Sequence, residues 1–198
     1  EIGNQNVSAE VQLGLIETAS AQHMLALAQN HLDQSHGKIA LILAQAMCDR
    51  RDERSVETSR ALATLLRGAG EPKLASAVLL ESAQLQSDAQ LALQLGQEAR
   101  QLSPRDLATI SFLRTTMLAH MSPSSPELEH VTLDLLDGLL ADGDVDRLFA
   151  VVEETKQLSA YTPEIMVREA RGLAKRKDKD AAIEVMLRAS QAFEAKGD

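Results

Sequence analysis

Apolar residues recur along this chain at three- and four-residue spacings, in blocks of about a dozen, with short polar or glycine-bearing stretches between them. That period is the helical one, since residues three and four apart share a face. Met24, Leu25, Leu27, Ala28 and Leu32 make one block; Val56, Leu62, Leu65 and Leu66 make another. The pattern predicts helices over 20–32, 38–50, 55–67, 72–86, 88–101, 103–120, 127–141, 145–158, 162–176 and 179–195, after a short one at 8–17. The segment 38–50 carries Ile39, Leu41, Ile42, Leu43, Ala46 and Met47, apolar nearly all round, which predicts a deep helix.

The punctuation agrees with the period. Ser55 and Asp88 stand where helix N-caps belong, and Gly68-Ala69-Gly70 and Gly143-Asp144 stand at helix ends. Pro72 and Pro163 fit the first turn of a helix, where a missing N–H costs nothing. Ser103-Pro104 reads the same way, as N-cap and first helical residue, with Asp106 supporting the dipole. Met121–Pro126 is the longest loop. In the last segment Ala182, Ile183, Met186 and Ala189 are assigned to one packing face.

Composition sharpens this to an all-α fold. Aromatics are 2% of 198 residues, so the core is aliphatic, and the residues that favour strands are scarce. The net charge of −9 disfavours a phosphate backbone as ligand, and the shortage of aromatics removes stacking platforms for single strands. No nucleic-acid partner is expected. No apolar run reaches the ~18 residues of a membrane span, so no membrane insertion is expected either. Cys48 is the only cysteine and is read as a small core residue. That usage fits a reducing compartment, and the expected location is cytoplasmic, with the periplasm as the alternative. The chain begins at Glu1 rather than Met, which suggests a processed protein or an excised domain.

The helices repeat. The residues opening each second helix fall at Ala40, Ala75, Ala108, Leu148 and Ala182, a period near 34 with two helices per unit. A large–small–large triplet on one first helix, Leu62, Ala63, Leu66, is echoed on the next by Leu95, Gly96, Ala99, with a small residue in the third place. Second helices carry Ala75, Leu79, Ser82, then Ala108, Phe112, Thr115, then Ala182, Met186, Ala189. The Gly-Asp turn appears at Gly143-Asp144 and, degenerate, at Gly70-Glu71.

On these residues the chain resembles the tetratricopeptide repeat family, in divergent form. Leu fills most of the family's aromatic positions, and the proline near the unit's end is largely missing. The resemblance implies an α-α superhelix, a solenoid of antiparallel helix pairs. The expected organisation is an N-terminal helix or partial repeat at 1–19, then an array over 20–198 with units at about 20–54, 55–87, 88–122, 126–160 and 162–196.

The resemblance also implies a binding face built from first helices. Its candidate partner-binding residues are Arg60, Thr64 and Arg67, then Gln97 and Arg100, then Arg171 and Lys175. The alternative role for the arginines is solubility, or pairing with Glu57 and Glu71. Catalytic, cofactor and metal sites are not expected. The five histidines form no His pair with a Glu at helical ligand spacing, and no phosphate-cradling glycine loop or nucleophile motif occurs. The implied function is a non-catalytic protein–protein interaction scaffold, holding a partner peptide or helix in a concave groove. The alternative is a self-association module of a larger regulatory or secretion/export protein, with a homo-oligomer as its product.

Overall fold

The computed structural model describes residues 20–33, 37–48 and 55–197. Ten α-helices lie among them. In order they are α1 (Ala21–Asp33), α2 (Gly37–Cys48), α3 (Val56–Gly68), α4 (Pro72–Gln84) and α5 (Ala89–Leu102), then α6 (Leu107–His120), α7 (Pro126–Asp142), α8 (Val145–Gln157), α9 (Pro163–Lys175) and α10 (Lys179–Lys196). The expected helix at 8–17 lies outside the described residues. The chain forms two compact units, 1–104 and 105–198.

In the first unit α1 packs on α2, α3 on α4, and α4 on α5, while α1 also packs on α3. A turn of three residues joins α3 to α4, so the two must run antiparallel to pack along their lengths. Small residues set the closeness of α4 and α5. Ala75, Ser76 and Ala83 on one helix and Ala92, Gly96 and Ala99 on the other are all buried. The Ser76 hydroxyl, otherwise a buried polar cost, donates to the Ala99 carbonyl at 2.9 Å. Larger core residues are Met24, Leu43, Met47, Leu62, Leu65, Leu66 and Leu95, each fully buried. Each contributes about 1.5–3 kcal/mol of apolar transfer. Ile42 is 55% exposed, so α2 is not buried all round; it packs through Ala40, Leu43, Ala44 and Met47.

In the second unit α7 is central, packing against α6, α8 and α9, and α9 packs on α10. Leu135, Leu136 and Leu139 on α7 and Leu148 on α8 fill the core. Gly172 on α9 lets α8 approach: a Cβ there would stand 2.9 Å from a Leu148 methyl and 3.3 Å from the Phe149 ring.

One turn geometry recurs. Gly70 and Gly143 adopt φ of +87° and +78°, and Lys177 adopts +66°. In each case the following residue donates its N–H back to a carbonyl five residues earlier: Glu71 to Leu66, Asp144 to Leu139, Asp178 to Leu173. This is the Schellman closure, and it satisfies carbonyls left over at the helix end.

The turn between α5 and α6 departs from it, and here the expectation from Ser103-Pro104 fails. The N-cap is Asp106, whose carboxylate accepts the Thr109 N–H at 3.0 Å, and the helix opens at Leu107. A carboxylate placed to accept that N–H takes the cap, and Ser103-Pro104 stays in the turn. The shift changes the register of α6. Ala108 is exposed, and Ile110 is the buried residue at the position that Ala75 and Leu148 hold in their helices. Phe112 and Thr115 therefore do not form the inner face; Ile110, Leu113, Arg114 and Met117 do.

The face assigned to α10 also changes. Val185 and Ala189 are its buried residues, Ala182 is half-buried, and Ile183 and Met186 are exposed.

Candidate functional site

Four residues of α3 occur at helical spacing along one side: Arg60, Ala63, Thr64 and Arg67. Ser55 fixes where that helix starts, accepting the Thr58 N–H at 3.2 Å, and so sets which residues face α5. Across from them α5 contributes Glu98, Gln101 and Leu102, and α4 contributes Pro72 and Leu79. Together they line a cleft of about 660 Å³ within the first unit.

Arg60 reaches Glu98 with two bonds, Nε to Oε2 at 3.0 Å and Nη2 to Oε1 at 2.7 Å. Such a fork is the strong form of an arginine–carboxylate contact, and it holds the Arg60 pKa above its ordinary value. Both side chains are about a third exposed, so the pair serves orientation more than stability. Thr64 is exposed, and its hydroxyl donates to the Arg60 carbonyl at 2.9 Å, so it is turned back on its own helix. Arg67 is exposed and has no ion-pair partner among the described residues. The cleft therefore holds one neutralised cation and one open cation above an apolar floor of Ala63, Leu79 and Leu102.

The other candidates fall elsewhere. Gln97 is exposed on α5 beside Glu98 but does not line the cleft, and neither does the half-buried Arg100. Arg171 and Lys175 lie in the second unit on α9, both exposed. The Lys175 ammonium donates to the Leu140 carbonyl in the last turn of α7, a role in closing that helix.

Sequence reasoning missed Glu98, Gln101 and Leu102. Glu98 is 38 residues from Arg60. The repeat carried no signal for them: at the 33-residue offset between the starts of α3 and α5, Glu98 and Gln101 fall at the positions of Leu65 and Gly68.

Two buried polar groups of the second unit were also missed. Arg114, 4% exposed, donates through Nε to Thr132 Oγ1 at 3.2 Å and through Nη1 to Glu154 at 2.5 Å. Glu169, also buried, accepts from Lys156 Nζ at 2.8 Å and from the Tyr161 hydroxyl, and the Lys156 ammonium lies 5.0 Å from the centre of the Tyr161 ring. Burial first, and the bond to Glu169 second, raise the Tyr161 pKa above its ordinary value.

First helices start at residues 21, 56, 89, 126 and 163, and second helices at 37, 72, 107, 145 and 179. Paired helices at intervals of 33–38 residues make this a divergent tetratricopeptide-like repeat fold. Among solved structures the chain is similar to two of a Podosopora anserina putative kinesin light chain with nearly identical TPR-like repeats, one of them of a point-substituted form. Identities are 14% for the substituted form and 16% for the other, over 89% of this chain and 95% and 96% of those chains, with a TM-score of 0.48 for each. No protein-family model matches the chain, and no curated protein does. Among the described residues no helix is long and apolar enough to cross a membrane.

Proposed function

We propose that this chain is a non-catalytic scaffold that holds a segment of a partner protein in the cleft between α3 and α5. The observation that carries this is the pairing pattern: Arg60 is neutralised by Glu98, whereas Arg67 faces the same cleft with no ion-pair partner among the described residues. A bound segment would lay apolar side chains on Ala63, Leu79 and Leu102 and place a carboxylate against Arg67. On a chain of net charge −9, that local cation selects acidic segments against a background that repels them. No bond is made or broken in this role. A cytoplasmic location belongs to the same proposal.

A displayed library of twelve-residue peptides tests it. Selected binders are expected to carry an acidic residue next to apolar ones, and Arg67→Glu is expected to weaken them about tenfold or more. Arg67 is exposed, so the variant keeps its fold, and helical circular dichroism checks that. Peptides that bind the variant and the parent equally would remove the cleft from consideration.

A further inference from the structure

Helix α10 presents three faces. Val185 and Ala189 are buried in the second unit, and Asp180, Glu184 and Arg188 form a charged face on which Glu184 and Arg188 pair at 3.8 Å. Between these lies a third strip. Ile183 is 60% exposed, Met186 43% and Leu187 60%, and Lys179, Ser190 and Glu194 continue the strip to both ends, all exposed. At 100° per residue these six positions fall within one 100° sector. Three large apolar side chains in one sector of a single helix are an unpartnered apolar patch rather than scattered exposure.

The strip is arranged as its own complement. Its positions 179, 183, 186, 187, 190 and 194 are symmetric about the midpoint between Met186 and Leu187. An antiparallel copy of the helix therefore sets Lys179 against Glu194, Ile183 against Ser190, and Met186 against Leu187, each twice. Lys179 and Glu194 have no ion-pair partner among the described residues, so both charges are open for that contact. Ser190 is small and lines a shallow groove of about 470 Å³ with Val167, Met186, Ala189 and Phe193. The copy's Ile183 would enter this groove, a large side chain above a small one. A parallel copy would instead place Lys179 on Lys179 and Glu194 on Glu194.

We infer that α10 is a two-fold homodimer face, covered by α10 of a second copy of this chain running antiparallel. The cleft on α3 and α5 plays no part in it. A seam of about 16 residues spans about 24 Å and buries on the order of 1,000 Å² in total, near the lower limit for a specific interface. An interface of that size is in the range of weak, concentration-dependent association.

Sedimentation equilibrium between about 5 and 300 µM reads it directly. The parent chain is expected to move from its 21.4 kDa monomer towards twice that mass. Leu187→Glu, at an exposed position, is expected to stay monomeric with an unchanged helical spectrum. Lys179→Glu and Glu194→Lys each replace two attractive pairs by two repulsive ones and are expected to weaken association about tenfold or more. Mixed in equal amounts, the two variants restore opposite charges at both ends and are expected to associate again. A parent chain that remains monomeric at about 300 µM overturns the proposal. So does association that survives Leu187→Glu, or a mixture that associates no better than either variant alone.

Discussion

Arg114→Met is expected to leave the protein as stable as before or to stabilise it, although it deletes a buried ion pair. Arg114 lies seven residues into α6, where Leu79 lies in α4 and Val152 in α8, and both of those are buried aliphatics. Its Nη2 is buried and has no acceptor among the described residues, which costs about 1–3 kcal/mol. Its partner Glu154 is 47% exposed, so the pair returns only about 0–1 kcal/mol and Glu154 stays hydrated once Arg114 is gone. Thr132 keeps its bond to the Leu128 carbonyl at 2.8 Å, so the substitution strands no hydroxyl. Methionine is smaller by roughly 30 Å³, and at ~24 cal/mol per Å³ that gap costs about 0.7 kcal/mol. With the lost Nε bond to Thr132 counted at about 1 kcal/mol, the balance lies near zero. Urea unfolding followed at 222 nm measures it, with Glu154→Gln as a control expected to lose under about 1 kcal/mol. A loss above about 1 kcal/mol in Arg114→Met would refute the reasoning, because it would mean that the third guanidinium nitrogen is satisfied in solution.

Two further outcomes are expected. Asp106→Ala should cost about 1 kcal/mol in the same assay and Ser103→Ala only a few tenths, since Asp106 holds the cap; equal losses would return the cap to Ser103. Tyr161 is the only tyrosine, so absorbance at 295 nm reports it alone, and in the native protein it should titrate above the ordinary value of about 10. The unfolded chain then releases that proton first. Stability is full below about pH 10 and falls as pH rises through the native value. Tyr161→Phe should flatten that decline, and a native midpoint at about 10 would contradict it.

Residues with one physical use were the legible ones. Gly70 and Gly143 suit a positive φ best, Pro72 and Pro163 suit a first helical turn, and Ser55 and Asp88 cap, so these helix bounds could be placed from sequence. The turn before α6 offered two cappers, Ser103 and Asp106, and choosing the first displaced the inner face from Ile110 to Ala108. On α10 both Val185 and Ile183 lie in apolar strips, and periodicity cannot say which strip meets α9. A buried arginine looks like a surface residue in any periodic pattern, which hid Arg114. Half of the cleft was legible because Arg60, Thr64 and Arg67 share one helix face. The Glu98 side was not, because pairing across 38 residues depends on packed geometry.

The bonds that tie one helix to another inside each unit are short in sequence. Arg60 reaches Glu98 over 38 residues, Arg114 reaches Glu154 over 40, and Lys156 reaches Glu169 over 13. Loop-closure entropy grows slowly with length, so a 40-residue closure costs only about 1 kcal/mol more than a 13-residue one, and none of these bonds depends on the other unit. The first unit can therefore complete its core as soon as its own residues have left the ribosome, while α6 to α10 are still being synthesised. The residues that line the cleft are all present in that first segment, so the proposed partner site needs nothing from the second unit.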